Sequence, residues 1–270
     1  MMFEAVTWVY PQGKNRAVTF SYDDGQIFDR RVVKTLNEHG MKGTFNLCSS
    51  FNMGEKNKAS YIPAEEIQSL YQGHEVAVHG AHHPYLERVA PGQVLAEILE
   101  DRRTLERLAG QVVTGMAYPY GSWNDMVLAQ LKAAGIQYSR TTRATMHFDC
   151  PREWLTWDPT CHHNDALPLV EPFCRQGRSL SLFYIWGHSY EFDRNKNWDV
   201  LERLCDALPK DEQTWYATNG EIFRYIHAIQ QMVFSVDQNL LHNPTAQEVW
   251  FLWRNECPRS VPPGTTIELK

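Results

Sequence analysis

The alternation of short apolar runs with amphipathic stretches is the feature that most constrains the fold of this 270-residue chain. Between the apolar runs, hydrophobic residues recur at three and four positions, most clearly over 91–108, where Pro91 suits a first helical turn and Gly110 marks the end. A second helix, 124–134, closes at Gly135. The strand-like runs are residues 17–22, 43–47, 75–78, 136–139, 180–186 and 214–217.

Six or seven such units without a G-x-G-x-x-G loop favour an α/β fold, a distorted (β/α) barrel of about seven parallel strands, over a dinucleotide-binding sheet. Beyond residue 232 the pattern changes. Residues 249–253 and 265–269 are strand-like, and proline and glycine residues lie between them. We therefore predict a barrel domain over 1–232 and a small C-terminal β appendage, a β-hairpin-like extension, over 233–270.

Composition and charge restrict the possible partners and compartment. The formal net charge is -6 with no run of lysine and arginine, which predicts neither a nucleic acid nor an anionic membrane as partner. No segment approaches the ~20 apolar residues that cross a bilayer, and the N-terminus lacks a basic region followed by a long apolar stretch. The six cysteines are scattered without a C-x-x-C pair, which is typical of reduced thiols. We therefore predict a cytoplasmic protein; its oligomeric state is left open.

Four polar clusters fall at positions where strands are expected to end, three of them directly after predicted strands. In a parallel barrel, the groups at the carboxyl ends of the strands meet at one face, where the chemistry of such folds takes place. The clusters are Asp23-Asp24 after AVTFSY, His79 to His83 after EVAV, Tyr118-Pro119-Tyr120-Gly121, and Gly187-His188 after SLFYIW.

Two of these clusters together indicate a metal site. His79 and His83 are four residues apart, and a histidine pair alone is more often satisfied or merely exposed than bound to a metal. Two histidines with a carboxylate from another strand end leave open positions for water and substrate, as in a catalytic zinc site. Asp23-Asp24 supplies that carboxylate, although by itself it would indicate a turn with solvated acids.

The same residues resemble the NodB-homology polysaccharide deacetylases, a carbohydrate esterase family that removes acetyl groups from amino sugars or esterified sugars. SYDDG at 21–25 is similar to the family's T-F-D-D-G. GHEVAVHGAHHP at 73–84 matches G-H-E-(I/V)-x-x-H-(S/T)-x-x-H-P except at Gly80, AYPYG at 117–121 resembles R-x-P-Y-G with Ala117 replacing the arginine, and WGH at 186–188 resembles L-x-H. The resemblance covers about residues 15–225, and the family's fourth motif has no clear counterpart.

The resemblance implies a metal-dependent hydrolase that removes acetyl groups from an N- or O-acetylated carbohydrate. It implies that Asp24, His79 and His83 hold a divalent metal, with Zn2+ favoured and Co2+, Mn2+ or Ni2+ as alternatives. In the family, the counterpart of Asp23 is the general base and a backbone amide at the counterpart of Tyr120 stabilises the oxyanion.

The counterpart of His188 protonates the leaving amine; in this chain the alternative is a core histidine behind an apolar strand. The other candidate functions are a non-catalytic carbohydrate-binding barrel and an amidase of another small C–N substrate. A binding protein would be free to lose Asp23 or His188, so their presence favours an enzyme.

Ala117 stands where the family has an arginine that pairs with the catalytic aspartate. Arg140 follows the predicted strand 136–139 and should emerge at the same barrel face, so we predict that it reaches Asp23 or the substrate. The alternative is a solvated loop arginine, and Arg143 is a weaker substitute.

Other conspicuous residues receive weaker interpretations. Cys161-His162-His163 is not assigned to a metal because no matching ligand set is evident in the sequence. His74 and Glu75 precede an apolar run and are interpreted as structural. Four aromatic residues are candidates to stack on sugar faces, although most such side chains belong to a core or rim: Tyr118, Trp123, Trp157 and Trp186.

Overall fold

The structure is a computed structural model that describes residues 6–54, 59–177 and 179–269. Its strands are β1 (Val6–Val9), β2 (Arg16–Asp24), β3 (Gly43–Leu47), β4 (Glu75–Val78), β5 (Gly115–Ala117), β6 (Tyr138–Arg140), β7 (Cys161–His162), β8 (Ser181–His188), β9 (Thr214–Tyr216), β10 (Val233–Phe234), β11 (Leu240–His242), β12 (Val249–Trp253), β13 (Pro258–Val261) and β14 (Thr266–Glu268). The helices are α1 (Asp29–Glu38), α2 (Ser49–Met53), α3 (Ile67–Leu70), α4 (Pro91–Ala109), α5 (Asp125–Ala133), α6 (His163–Ala166), α7 (Val170–Cys174), α8 (Ser189–Arg194), α9 (Asp199–Ala207) and α10 (Asn219–Gln230).

Seven parallel strands, β2 to β8, form the barrel. They lie in the order β6-β5-β4-β3-β2-β8-β7, and β9 pairs with the first residues of β2. The chain around Trp157 bridges β6 at the open side of the barrel. The Trp157 amide donates to the Ser139 carbonyl, and the Trp157 carbonyl accepts from the Thr141 amide. On the other side of this segment, β7 pairs with β8. The predicted distorted barrel of about seven parallel strands is confirmed.

Strand β2 pairs with β3, β8 and β9 and ends with the carboxylate pair Asp23-Asp24. Eight of its nine residues are buried, as expected for a strand covered on both faces. Its register places Asp23 opposite Asn46 of β3 on one side and opposite His188 of β8 on the other. The carboxyl ends of three strands therefore meet around Asp23.

The remaining strands form two small antiparallel sheets, in the orders β1-β12-β13 and β10-β11-β14. The predicted C-terminal β appendage is confirmed, but the strands at 249–253 and 266–268 lie in different sheets and do not form a hairpin with each other. Between them, β13 begins at Pro258, where a proline is tolerated because it is the first residue of the strand. The domain boundary at 232/233 stays a prediction, since β1 pairs with β12.

Two barrel strands were not predicted from the sequence: β5, which has three residues, and β7, which has two. Within the described ranges the six cysteines form no disulfide, and no helix has the length and hydrophobicity needed to cross a membrane. The cytoplasmic location, and the lack of a nucleic acid or membrane partner, stay predictions.

Candidate active site

The polar clusters predicted at the strand ends line one cleft of about 420 Å³. Asp23 and Asp24 end β2, His79 follows β4 directly, Tyr120 lies in the turn after β5, and His188 ends β8. The lining residues are Asp23, Asp24, His79, His83, Tyr118, Tyr120, Thr142, Trp186, His188 and Tyr190.

Asp24, His79 and His83 present three donor atoms to a common point. Asp24 Oδ1 lies 3.6 Å from His79 Nε2 and 3.7 Å from His83 Nε2, and the two Nε2 atoms are 3.1 Å apart. Ligands at about 2.0–2.1 Å from a tetrahedral ion lie about 3.3 Å from one another, so these separations fit a single divalent ion. The donor set of two imidazoles and one carboxylate leaves positions for water and substrate.

Hydrogen bonds to residues outside the triad, which is the group Asp24, His79 and His83, orient His79. Its Nδ1 lies 2.8 Å from the carbonyl oxygen of Ala117, a contact that requires a proton on Nδ1 and leaves the lone pair of Nε2 facing Asp24 and His83. The His79 amide donates to buried Asp101, which also accepts from the Ser49 amide. The ring of His79 is therefore held with Nε2 toward the other two donor atoms.

The backbone at the cleft is unusual. Asp24, His83 and Tyr120 have φ angles of 79°, 55° and 57°, in the left-handed region that non-glycine residues rarely adopt. Gly80, where the resembled family has a hydroxyl residue, has a φ of 79°. Residues held in this conformation cost about 1 kcal/mol or more each and cluster at functional sites.

Asp23 is buried and is held by two donors. Arg140 Nη2 donates to Asp23 Oδ2, and Asn46 Nδ2 donates to Oδ1 at 2.9 Å. Burial raises the pKa of Asp23, but Arg140, then His79 and His188, outweigh this effect and hold the pKa below its ordinary value. The carboxylate is therefore ionised at neutral pH.

Arg140 pairs with Asp23 inside the barrel; its role as a substitute for the arginine missing at Ala117 stays a prediction. Arg140 is fully buried, its guanidinium lies 4.4 Å from the centre of the Trp186 ring, and Nη1 donates to the Thr141 carbonyl. The alternative of a solvated loop arginine is excluded. Arg143 is exposed and pairs with Asp158 instead of with the cleft.

His188 lies at the junction of β8 and α8 and lines the cleft, which excludes the alternative of a core histidine. Its Nε2 atom is 4.0 Å from Asp23 Oδ2. Burial lowers the pKa of His188, but Glu191, Asp23 and Asp24 outweigh it and raise the pKa above its ordinary value. The side chain therefore lies beside Asp23 at the cleft with a raised pKa.

Aromatic rings border the triad. Tyr120 is 53% exposed, stacks on Tyr85 at 3.8 Å between ring centres, and contacts the edge of His83. Trp186 lines the cleft, and Trp123 packs beside Tyr118. Trp157 is 1% exposed and belongs to the core, so it is not available to a sugar.

Other predictions have mixed outcomes. His74 and Glu75 are structural as predicted: His74 Nδ1 accepts from the Gly43 amide, and Glu75 accepts from Thr44 and Gly220. The sequence interpretation missed Asn46, a polar residue inside a buried strand, which was its available signal.

Glu191 was also missed in the sequence. Its position three residues after His188, at the start of a helix, is a capping pattern that was available as a signal. His162, left unassigned at the sequence level, has a partner in this residue: its Nε2 lies 2.8 Å from Glu191 Oε2.

The fold and the cleft together define a (β/α)-barrel protein with a His–His–Asp group and a buried Asp–Arg pair at its strand ends. The family model described as Polysaccharide deacetylase matches residues 11–139. Over these residues the chain is therefore similar to the polysaccharide deacetylase family, as the motifs indicated.

Individual relatives are distant. A chitooligosaccharide deacetylase from Bradyrhizobium sp. (strain ANU 289) is 30% identical over 143 residues, which cover 52% of this chain and 59% of that protein. The chain thus spans less than two thirds of the length of the first curated relatives it matches.

Solved structures share the fold at low identity. A putative polysaccharide deacetylase from Mycobacterium smegmatis has a TM-score of 0.60 at 18% identity, covering 83% of this chain and 94% of that one. A family 4 acetyl xylan esterase from Clostridium thermocellum, solved with a cobalt ion, has a TM-score of 0.54 at 16% identity, covering 77% and 90%. At these identities the similarity concerns the fold alone.

Proposed function

We propose that this protein is a metal-dependent hydrolase that removes acetyl groups from an N- or O-acetylated carbohydrate. The observation that carries the proposal is the convergence, in one cleft, of a three-donor metal group, a buried ionised carboxylate and a histidine proton donor. The match of residues 11–139 to the polysaccharide deacetylase family model supports the same reaction class, and the Bradyrhizobium relative is a chitooligosaccharide deacetylase.

Asp24, His79 and His83 would hold the divalent ion. Their nitrogen and oxygen donors suit Zn2+, and Co2+, Mn2+ and Ni2+ bind similar donor sets. A bound ion supplies Lewis-acid polarisation of the acetyl carbonyl and activation of the attacking water.

Asp23 is proposed as the general base. Arg140 and Asn46 each occupy one lone pair of its carboxylate, and an ionised carboxylate has about four acceptor sites, so it can still accept a proton from water in the cleft. Its burial and fixed partners orient it beside the metal group, since Oδ2 is 3.8 Å from His79 Nε2. Adjacent carboxylates on β2 thus serve different roles, Asp24 as ligand and Asp23 as base.

His188 is proposed as the acid that protonates the leaving amine or alkoxide. It lies beside Asp23 on the neighbouring strand, and its raised pKa increases the protonated fraction near neutral pH. The backbone amide of Tyr120 is proposed to stabilise the oxyanion, a contribution that is typically about 3–4 kcal/mol for one such donor. Arg140 holds Asp23 ionised and oriented.

The exposed aromatic rings beside the triad support a sugar substrate. Tyr85, Tyr120 and Trp123 are 38%, 53% and 39% exposed, although rings of this size are usually covered. An aromatic face packs well against the C–H face of a pyranose ring. The stacked Tyr85–Tyr120 pair lies directly beside His83 and would place a sugar next to the metal group.

Acetate release from a panel of substrates tests the proposal. The protein loaded with zinc is expected to release acetate from N-acetylated glucosamine oligomers or O-acetylated xylose oligomers, with kcat/KM at least about tenfold above that for acetamide because the aromatic border contributes binding. Release of ammonia from small amides without release of acetate from any sugar would indicate the amidase alternative. Sugar binding without turnover would indicate a binding protein.

A further inference from the structure

A carboxylate on α8 lies between two histidines behind the cleft. Glu191 Oε1 is 3.6 Å from His188 Nδ1, and Glu191 Oε2 is 2.8 Å from His162 Nε2. The His188 amide also donates to Oε2 at 3.4 Å. Glu191 therefore connects the proton donor of the cleft to β7, a strand that contributes no residue to the cleft lining.

The two nitrogens of His188 face different groups. Nε2 points toward Asp23 and the cleft, whereas Nδ1 is buried and has no hydrogen-bond partner within 3.5 Å among the described residues. Glu191 Oε1 lies just beyond that limit. A carboxylate at this position favours the tautomer with the proton on Nδ1, which keeps Nε2 available to exchange protons with the cleft.

Glu191 is itself held in place. His162 donates to Oε2, and Nε2 of fully buried His163 lies 3.5 Å from the same oxygen. Arg194 is 3.6 Å from Oε1. Burial raises the pKa of Glu191, but His162 and His188 outweigh this effect and lower the pKa, so the side chain is an anion.

We propose that Glu191, held by His162, is the positioning residue of His188: it fixes the Nδ1-protonated tautomer and the ring orientation from which Nε2 transfers a proton to the leaving group. The inference rests on the proposed function. It assigns a role to a residue of the helix that follows β8 and to the histidine left unassigned in the sequence.

A second metal ion is the competing explanation of this cluster. Donor atoms of His162, His163 and Glu191 lie within 4.8 Å of one another. The direct His162–Glu191 hydrogen bond and the nearby Arg194 cation favour a hydrogen-bonded network, because a cation beside the carboxylate opposes binding of a metal ion.

Glu191→Gln is expected to lower kcat for an N-acetylated sugar by about 10²–10⁴ with KM within about twofold, because the acid is misoriented while the binding surface is intact. Hydrolysis of 4-nitrophenyl acetate should change less than about threefold, because its leaving group departs without a proton. Glu191→Asp should retain part of the activity. Glu171→Gln, at an exposed position of α7, is the matched control and should behave as wild type.

A double variant separates positioning from other roles. If Glu191 acts through His188, His188→Ala/Glu191→Gln should be no slower than His188→Ala. Additive losses, or equal losses on the sugar and on the aryl ester, would overturn the proposal. A second equivalent of metal that disappears in Glu191→Gln would also overturn it in favour of the metal explanation.

The tautomer provides a test that does not depend on turnover. With ¹⁵N-labelled histidine, the neutral ring of His188 should carry its proton on Nδ1, and Glu191→Gln should shift the population toward Nε2–H. A wild-type ring protonated on Nε2 refutes the positioning role even if the protein deacetylates sugars. If the ring has the expected tautomer and no acetylated substrate is hydrolysed, the proposed function fails and the role in proton transfer fails with it.

Discussion

Replacing Asp23 by asparagine is expected to lower kcat for acetate release by about 10²–10⁴ while the protein keeps its metal. The amide keeps the shape of the side chain and can still accept from Arg140, but it cannot accept a proton from water. KM should change little, because the carboxylate lies behind the aromatic border that would bind the sugar. Steady-state kinetics with elemental analysis of the same samples measures both quantities.

Two further variants serve as comparisons for Asp23→Asn. Asp193→Asn removes a partly exposed carboxylate on α8 that pairs with Lys196, and it should leave kcat unchanged. Asp24→Asn should lose metal as well as activity, because it alters a proposed ligand. If Asp23→Asn keeps wild-type turnover, Asp23 is not the base.

Arg140→Met is expected to destabilise the protein by about 3–5 kcal/mol, because it leaves the buried Asp23 carboxylate without its cation. Methionine retains much of the apolar contact with Trp186, so most of the loss should arise from the unpaired charge. Adding Asp23→Asn should therefore restore part of the stability. Urea unfolding of the wild type, both single variants and the double variant, all freed of metal, measures the coupling.

The contribution of Asp23 to the pH dependence of stability should have opposite signs in the wild type and in Arg140→Met. In the wild type the pKa of Asp23 is lowered, so its contribution is present above the unfolded pKa of about 3.9 and is lost as pH falls. In Arg140→Met, burial dominates and raises that pKa, so stability is lost as pH rises through it. The difference between the two proteins should grow from pH 4 to 7. A constant difference, or no rescue by Asp23→Asn, would show that the two side chains are not coupled.

Local periodicity predicts most of the barrel. The runs at 17–22, 43–47 and 75–78 coincide with or lie inside strands, because a buried parallel strand needs a continuous apolar segment. The strands β7 and β5, of two and three residues, were missed, whereas the three-residue strands β6 and β9 overlap longer predicted runs. The pairing of β1 with β12 joins distant parts of the chain, and no local pattern encodes such a partner.

The residues of the candidate site that lie at the carboxyl ends of the strands were predictable from the sequence. Asp24, His79 and His83 come together because parallel strands terminate at the same face of the barrel. Arg140 was predicted to face the cleft by the same reasoning, although its strand runs one residue further than the pattern indicated. The contact of Glu191 with His162 depends on how α8 packs against β7, which is a tertiary property.

Metal dependence of acetate release tests the central proposal most directly. Wild-type protein stripped of metal by a chelator should release no acetate from N- or O-acetylated sugar oligomers, and one equivalent of zinc per chain should restore the activity. His79→Ala should neither bind nor respond to that equivalent, whereas His82→Ala should behave as wild type, because His82 is an exposed histidine of the same loop that pairs with Glu97. Acetate release that persists in the stripped protein, or full zinc occupancy and activity in His79→Ala, would contradict the proposal.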